Sequence, residues 1–291
     1  MVAALPGEAR ALARAAVPPG GSHPLAGRGV LLLGGVGPLR AGLAARALVR
    51  RGVGGLVSWG VAAGLCPAVG PGAVVIPETV IGPDGCEYRC DRRWRSQLLL
   101  RLAGVVRVHR GPLAGAAGEL RGTEPKRALH RATGAVAADM ESAAVARVAC
   151  GSSVPFLAVR AVVDPAGFAV PACALRGVDG LGQRRLLRLL GALVEHPREA
   201  AGLVRLAVSY GRALGALRTV GRAAGPGMGL LPPSAAGAGQ ASGERVEGRG
   251  RAVSAAAKRL PCEGGVAEPG SARLRRRKAA GGTGSRGDRQ R

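Results

Sequence analysis

The sequence predicts an α/β fold, on two observations. Short runs of branched and apolar residues alternate with helical stretches over residues 1–224, and glycine-rich turns separate them. Apolar runs that alternate with helices imply a mostly parallel sheet covered on both faces. A third observation bounds the fold: from Gly225 the composition changes to Gly, Pro, Ala and Arg. At 291 residues the chain suits one sizeable domain with appendages, and it is long enough to bury a core.

The elements follow in order. Val2–Leu5 is a short apolar run, closed by Pro6 and Gly7, with a helix from Glu8. Val30–Leu33 reads as a strand that leads into the glycine loop Gly34 to Gly37 and a helix through Val49. Gly55–Trp59 reads as a buried strand followed by a turn over Gly60–Gly64. Ala73–Pro77 and Val105–His109 are further strands, Ser142–Cys150 a helix, and Phe156–Val163 a buried strand. No internal repeat is visible.

The charge balance excludes some functions and suggests others. Forty-two basic residues face 18 acidic ones, a net charge of +24, which points to a polyanion or an anionic membrane. Only Lys126, Lys258 and Lys278 are lysines, so part of the excess reflects the Arg, Ala, Gly and Pro bias of a GC-rich coding sequence. Six aromatics (Trp59, Tyr88, Trp94, Phe156, Phe168, Tyr210) are too few for a single-strand binder that stacks bases. No apolar run approaches the ~18 residues of a membrane span, and the opening residues lack a secretory pattern. Six scattered cysteines, of which only Cys86 and Cys90 are close, read as reduced and mostly buried thiols, with no metal site. The expected compartment is the cytoplasm.

Acids are scarce before residue 225, and three sit in apolar surroundings. Asp139 and Glu141 lie in GAVAADMESAAVARVA, and Asp164 ends VPFLAVRAVVDPA. An acid after a long apolar strand emerges at the strand's carboxyl end, where open α/β sheets bind ligands. Burial there raises a carboxyl pKa and favours a form that can donate a proton. The plainer readings are an N-cap or Asx turn for Asp164 and a helix start for Glu141.

Four blocks in fixed order carry a resemblance: LLLGGVGP (residues 31–38), VSWGVAAGLCPAVGPGAVVIP (57–77), AADMESAAVA (137–146) and VPFLAVRAVVDPA (154–166). Together they resemble the nucleoside phosphorylase and nucleosidase superfamily over roughly residues 1–224. The nearest likeness is to the hopanoid-associated phosphorylases, which share the aromatic before the first glycine of the second block, the DMES string and the Asp-Pro-Ala ending. The resemblance implies a phosphorylase/hydrolase-like three-layer fold with a central mixed sheet flanked by helices. It also implies cleavage of the N-glycosidic bond of a 5′-substituted adenosine, with adenosylhopane as the expected substrate.

Carried onto matching positions, Asp164 is the general acid that protonates the purine's imidazole-ring nitrogen, and Glu141 accepts hydrogen bonds from the ribose hydroxyls. Met140 packs on the sugar. Glu8 activates water, although its place also suits an ordinary first-turn helix acid. Gly34, Gly35 and Gly37 let backbone amides approach the ribose or a phosphate, and Trp59 or Phe156 lines the base pocket unless it serves core packing. No cofactor is implied. The phosphate-binding arginine of true phosphorylases has no match beyond Arg40 or Arg160, so a nucleosidase is favoured and inorganic phosphate stays open as co-substrate. Two departures stand out: Ala63 replaces an expected glycine, and Val163 replaces a serine that nucleosidases often place before the acid.

The chain therefore divides into a catalytic domain (1–183), a basic helical extension (184–224) and a tail (225–291). Around Leu203 on a helical wheel, Leu206, Ala207, Tyr210, Leu214 and Leu217 share one face, with Arg198, Arg205 and Arg212 opposite. Such a helix lies on a domain or at an anionic membrane surface, and the latter fits a lipid-linked nucleoside substrate. The tail holds 13 basic and 5 acidic residues with seven Leu, Ile, Val or Phe, too few to offset its chain entropy, and is expected to be disordered. Relatives imply a homo-oligomer, and no specific nucleic acid is expected. The competing readings are a methylthioadenosine/S-adenosylhomocysteine nucleosidase or general purine nucleoside phosphorylase, and, in a different class, a basic nucleic-acid-binding protein or non-catalytic relative.

Overall fold

The computed structural model describes residues 1–27, 29–176, 199–225 and 227–229. The chain divides into two compact units, Met1–Gly243 and Glu244–Arg291, and every described residue falls in the first. The tail from residue 230 onward, Arg198 and the first part of the helical extension thus lie outside the described residues, whereas Met228, assigned to the tail by the sequence, is buried and its carbonyl accepts from the Trp94 indole N–H at 3.0 Å.

One mixed sheet of eleven strands forms the centre. Its parallel middle is β3 (Val30–Leu33), β1 (Val2–Ala3), β4 (Leu56–Gly64) and β11 (Phe156–Asp164). Seven of the nine residues of β4 and eight of the nine of β11 are buried, which is why both read as near-continuous apolar runs. Antiparallel members complete the sheet: β2 (Ser22–Pro24) on β3, β10 (Ala137–Asp139) on the end of β4, and β5 (Val74–Val75) on β11. Beyond β10 lie β9 (Leu113–Gly115), β6 (Thr79–Ile81) and β7 (Glu87–Arg89), and β8 (Val108–His109) pairs with β5.

Two groups of helices flank the sheet. The helices α2 (Pro38–Arg50) and α5 (Ser142–Gly151) pack on each other. In the second group α1 (Pro6–Ala13) and α3 (Arg92–Leu102) pack on α7 (Ala200–Ala224), which also rests on β11. Described helices α4 (Thr123–Thr133) and α6 (Ala172–Arg176) follow β9 and β11. The helix from residue 200 onward is therefore integral to the first unit, with Ala213, Leu214, Leu217 and Val220 buried in its core.

Three sequence expectations are corrected. Gly60–Gly64 is strand, not turn: β4 runs through it, paired with β11 and β10. Its glycines mark close approaches, since a Cβ on Gly60 would stand 2.6 Å from a carboxylate oxygen of Glu8, and one on Gly64 2.9 Å from the Val69 carbonyl. The strand expected over Val105–His109 keeps only Val108 and His109. Among the described residues the cysteines are not mostly buried, because Cys86 and Cys150 are exposed and Cys66 is intermediate.

Candidate active site

A cavity of about 870 Å³ opens where β4, β10 and β11 end. Glu8, Asp139, Met140, Glu141 and Asp164 line it, together with Ala62, Ala63 and Val163. The helix α7 contributes Leu203, Leu206, Ala207, Tyr210 and Leu214 to the same lining, as do Leu120, Val170 and Ala174.

Glu8 stands in the first turn of α1, and its role as a first-turn acid and its place at the cavity coincide. Oε2 accepts from the backbone N–H groups of Ala4 (3.0 Å) and Leu5 (2.9 Å), and Oε1 from that of Val61 (2.9 Å). Burial pushes its pKa up, against the opposing pull of Arg160 and these three amides. The bare Cα of Gly60 leaves the room its carboxyl occupies.

Glu141 begins α5 but does not cap it. Its Oε1 accepts instead from the backbone N–H of Gly37, 2.8 Å away at the start of α2. Gly37 has φ +99°, a conformation that favours glycine, so the loop meets Glu141 at a position a side chain would strain. Burial and the neighbouring Asp139 raise Glu141 to about 7. Asp139 is itself held by a buried network. It is paired with Arg160, while the Ser142 hydroxyl donates to it at 2.6 Å, and Ser58 accepts from Arg160 (2.6 Å), its hydroxyl oxygen 3.1 Å from that of Ser142.

Asp164 closes β11 just past a bulge. Val162 pairs with Ala62 and Asp164 with Ala63, so Val163 is the extra residue, and the bulge re-aims the acid at the strand's carboxyl end. Oδ2 lies 2.5 Å from the ammonium of Lys126 on α4, a lysine with no exposed surface. Burial raises the Asp164 pKa, opposed by Lys126. Ala63 and Val163, the two departures noted in the sequence, both face the cavity.

Among the residues expected at the site, Glu8, Met140, Glu141 and Asp164 meet at one cavity. Gly37 joins them through its amide, whereas Gly34 and Gly35 do not line it. The Gly34 amide is spent on the Ala3 carbonyl (2.9 Å). Trp59 and Phe156 are corrected to core positions. Trp59 is fully buried and donates its indole N–H to the Glu8 carbonyl (3.0 Å), and Phe156 lies at the far end of β11 from Asp164. Arg160 is engaged in the buried network, and Arg40 does not line the cavity. Among the described residues the arginine that does line it, Arg121, is paired with Glu119 at 3.0 Å. No cluster of three His, Cys, Asp or Glu suited to a metal ion occurs among the described residues.

Sequence reasoning missed Lys126 and the Ser58–Arg160–Asp139–Ser142 network. The signal for Lys126 was its rarity: it is the one lysine before residue 258 in a chain that otherwise uses arginine.

Comparison with known proteins agrees with this fold. A 5′-methylthioadenosine/S-adenosylhomocysteine nucleosidase of Neisseria meningitidis, solved with methylthio-immucillin-A, is 18% identical over 67% of this chain and 79% of its own, with a TM-score of 0.51. The corresponding Helicobacter pylori nucleosidase is 15% identical, covering 76% of this chain and 93% of its own (TM-score 0.54). Helicobacter pylori futalosine hydrolase gives the same 15%, 76%, 93% and 0.54. No curated protein matches by sequence. The sequence model of the phosphorylase superfamily spans residues 2–195, from β1 past Asp164, and the chain belongs to that superfamily.

Proposed function

We propose that the protein hydrolyses the N-glycosidic bond of an adenosine that carries a large apolar 5′ substituent, adenosylhopane being the preferred substrate, and releases adenine. The observation that carries this reading is the composition of the cavity lining: the acids Glu8, Glu141 and Asp164, from three separate elements, share it with the apolar residues of α7. In this mechanism Asp164 donates a proton to the purine's imidazole-ring nitrogen as the glycosidic electron pair passes to the base. Glu141 accepts from the ribose hydroxyls, and Met140 packs on the sugar. Glu8 takes a proton from the water that bonds to the anomeric carbon; its carboxylate has acceptor capacity beyond the three amides it already holds.

Water is favoured over phosphate as acceptor because the cavity-lining Arg121 is already paired and Arg160 is turned into the buried network. The solved structures of similar fold include proteins named for 5′-substituted adenosine hydrolysis, which agrees with this choice. Val204, at the cavity rim, and Val208 are 65% and 52% exposed on α7, beside Arg205 and Arg212, a combination suited to an anionic membrane that presents a lipid-linked nucleoside. Among the described residues no helix is long and apolar enough to cross a membrane.

Adenine release from adenosylhopane and from methylthioadenosine, each with and without inorganic phosphate, tests the reading. Preference for the former without phosphate dependence is expected. Preference for methylthioadenosine would overturn the lipid substrate, and strict phosphate dependence would overturn hydrolysis. Salt-sensitive co-sedimentation with anionic vesicles is expected, and its absence would remove the membrane contact.

A further inference from the structure

Lys126 is a charged side chain with no solvent exposure, yet it does not lie in the cavity lining. Its ammonium contacts three acceptors: Asp164 Oδ2 at 2.5 Å, the Phe168 carbonyl at 2.9 Å and the Pro165 carbonyl at 3.2 Å. An ammonium has three donors, so this set uses all of them. A buried ion is expensive unless it is paired and hydrogen-bonded throughout, so the arrangement exists for the groups it ties together. Those groups are the acid and the loop that follows it.

We propose that Lys126 is a positioning residue for Asp164: it fixes the carboxyl at the mouth of the β11 bulge, clamps the 165–168 loop behind it, and sets the pH at which the acid gives up its proton. This inference rests on the reading of Asp164 as the general acid. The other charged groups around the cavity are Glu8 on α1, Glu119 and Arg121 before α4, and Asp139 and Glu141 between β10 and α5. Lys126 is, among the described residues, the charged side chain that acts on Asp164. A second cation elsewhere does not substitute for it, because Arg160 is spent on Asp139.

The sign of the effect follows from the charge. The ammonium favours the carboxylate, so its removal makes the acid hold its proton to higher pH. General acid catalysis needs the protonated form, which places Asp164 on the alkaline limb of the kcat profile. In Lys126→Met that limb moves up by about one pH unit or more, while kcat falls about 10²-fold because the acid is no longer held in place. Lys126→Arg keeps the charge but not the three-point geometry, so kcat falls and the limb stays near its wild-type position.

The experiment is the pH profile of adenine release for wild type, Lys126→Met, Lys126→Gln and Lys126→Arg, with circular dichroism to check folding. Lys126→Gln keeps donors for the two carbonyls and serves if Lys126→Met does not fold. An upward limb shift in the neutral variants, absent from Lys126→Arg, supports the proposal. An unmoved limb, or unchanged kcat, overturns it, and loss of the fold in all three makes Lys126 merely structural and overturns it too. Asp164→Asn is run in parallel: if that variant keeps wild-type turnover, the general-acid reading fails, an outcome separate from any behaviour of the Lys126 variants.

Discussion

The acidic and the apolar parts of the cavity lining are built by different means. Glu8 is held by the Val61 amide, Glu141 by the Gly37 amide and Asp164 by Lys126, partners far away in the chain. A single helix, α7, supplies the apolar Leu203, Leu206, Ala207 and Leu214. On the proposed reading the acids, locked in place by these contacts, carry the reaction, and the helix sets what is attached to the sugar. Geometry errors among the acids then cost rate, whereas changes on the helix redistribute specificity.

The largest expected effect comes from the acids. Asp164→Asn should lower turnover by about 10²–10⁴-fold with the fold intact, read as initial rate of adenine release. Next is Gly60→Ala, whose new methyl would lie 2.6–2.9 Å from the Glu8 carboxyl. Displacing Glu8 by even 1 Å should cost about 10²-fold in kcat. Gly151→Ala, with no heavy atom within 4 Å of its Cβ, should not change the rate and is the control.

The apolar lining responds differently. Leu206→Asp should lower the ratio of kcat/KM for an apolar 5′ substituent over that for methylthioadenosine by about tenfold, the scale of one lost apolar contact. Equal losses on both substrates would erase the distinction between the acids and the apolar lining. The smallest effect is on stability. Glu141 has its pKa raised from 4.5 to about 7, so the folded state holds a proton that the unfolded chain releases. Stability from this group is present below the unfolded value and is lost as pH rises through about 7. Glu141→Gln should therefore raise Tm by a few degrees at pH 8 and leave it nearly unchanged at pH 4, while activity falls.

The central strands were legible because β4 and β11 are buried on both sides and write long apolar runs, and the acids were legible because carboxylates are rare beside such runs. The continuation of β4 through Gly60–Gly64 was not. Glycine signals a turn or a close approach alike, and the approach of Glu8 is visible only in three dimensions. Short strands such as β6, β7 and β9, three residues each, carry too few positions for a period to show. Trp59 and Phe156 were drawn toward the base pocket by their type, but an aromatic's burial depends on which end of a strand it occupies. The wheel placed Arg205 on the solvent pole of α7, yet its guanidinium lies 5.0 Å from the Phe168 ring centroid, a contact made by the loop after Asp164.

The most direct test of the account is adenine release by the wild-type protein from a 5′-apolar adenosine in heavy-oxygen water. The account predicts one heavy-oxygen atom at the anomeric carbon of the sugar product for each adenine formed, with no requirement for phosphate. Absence of adenine, or a sugar product that carries phosphate and no label at that carbon, would contradict it.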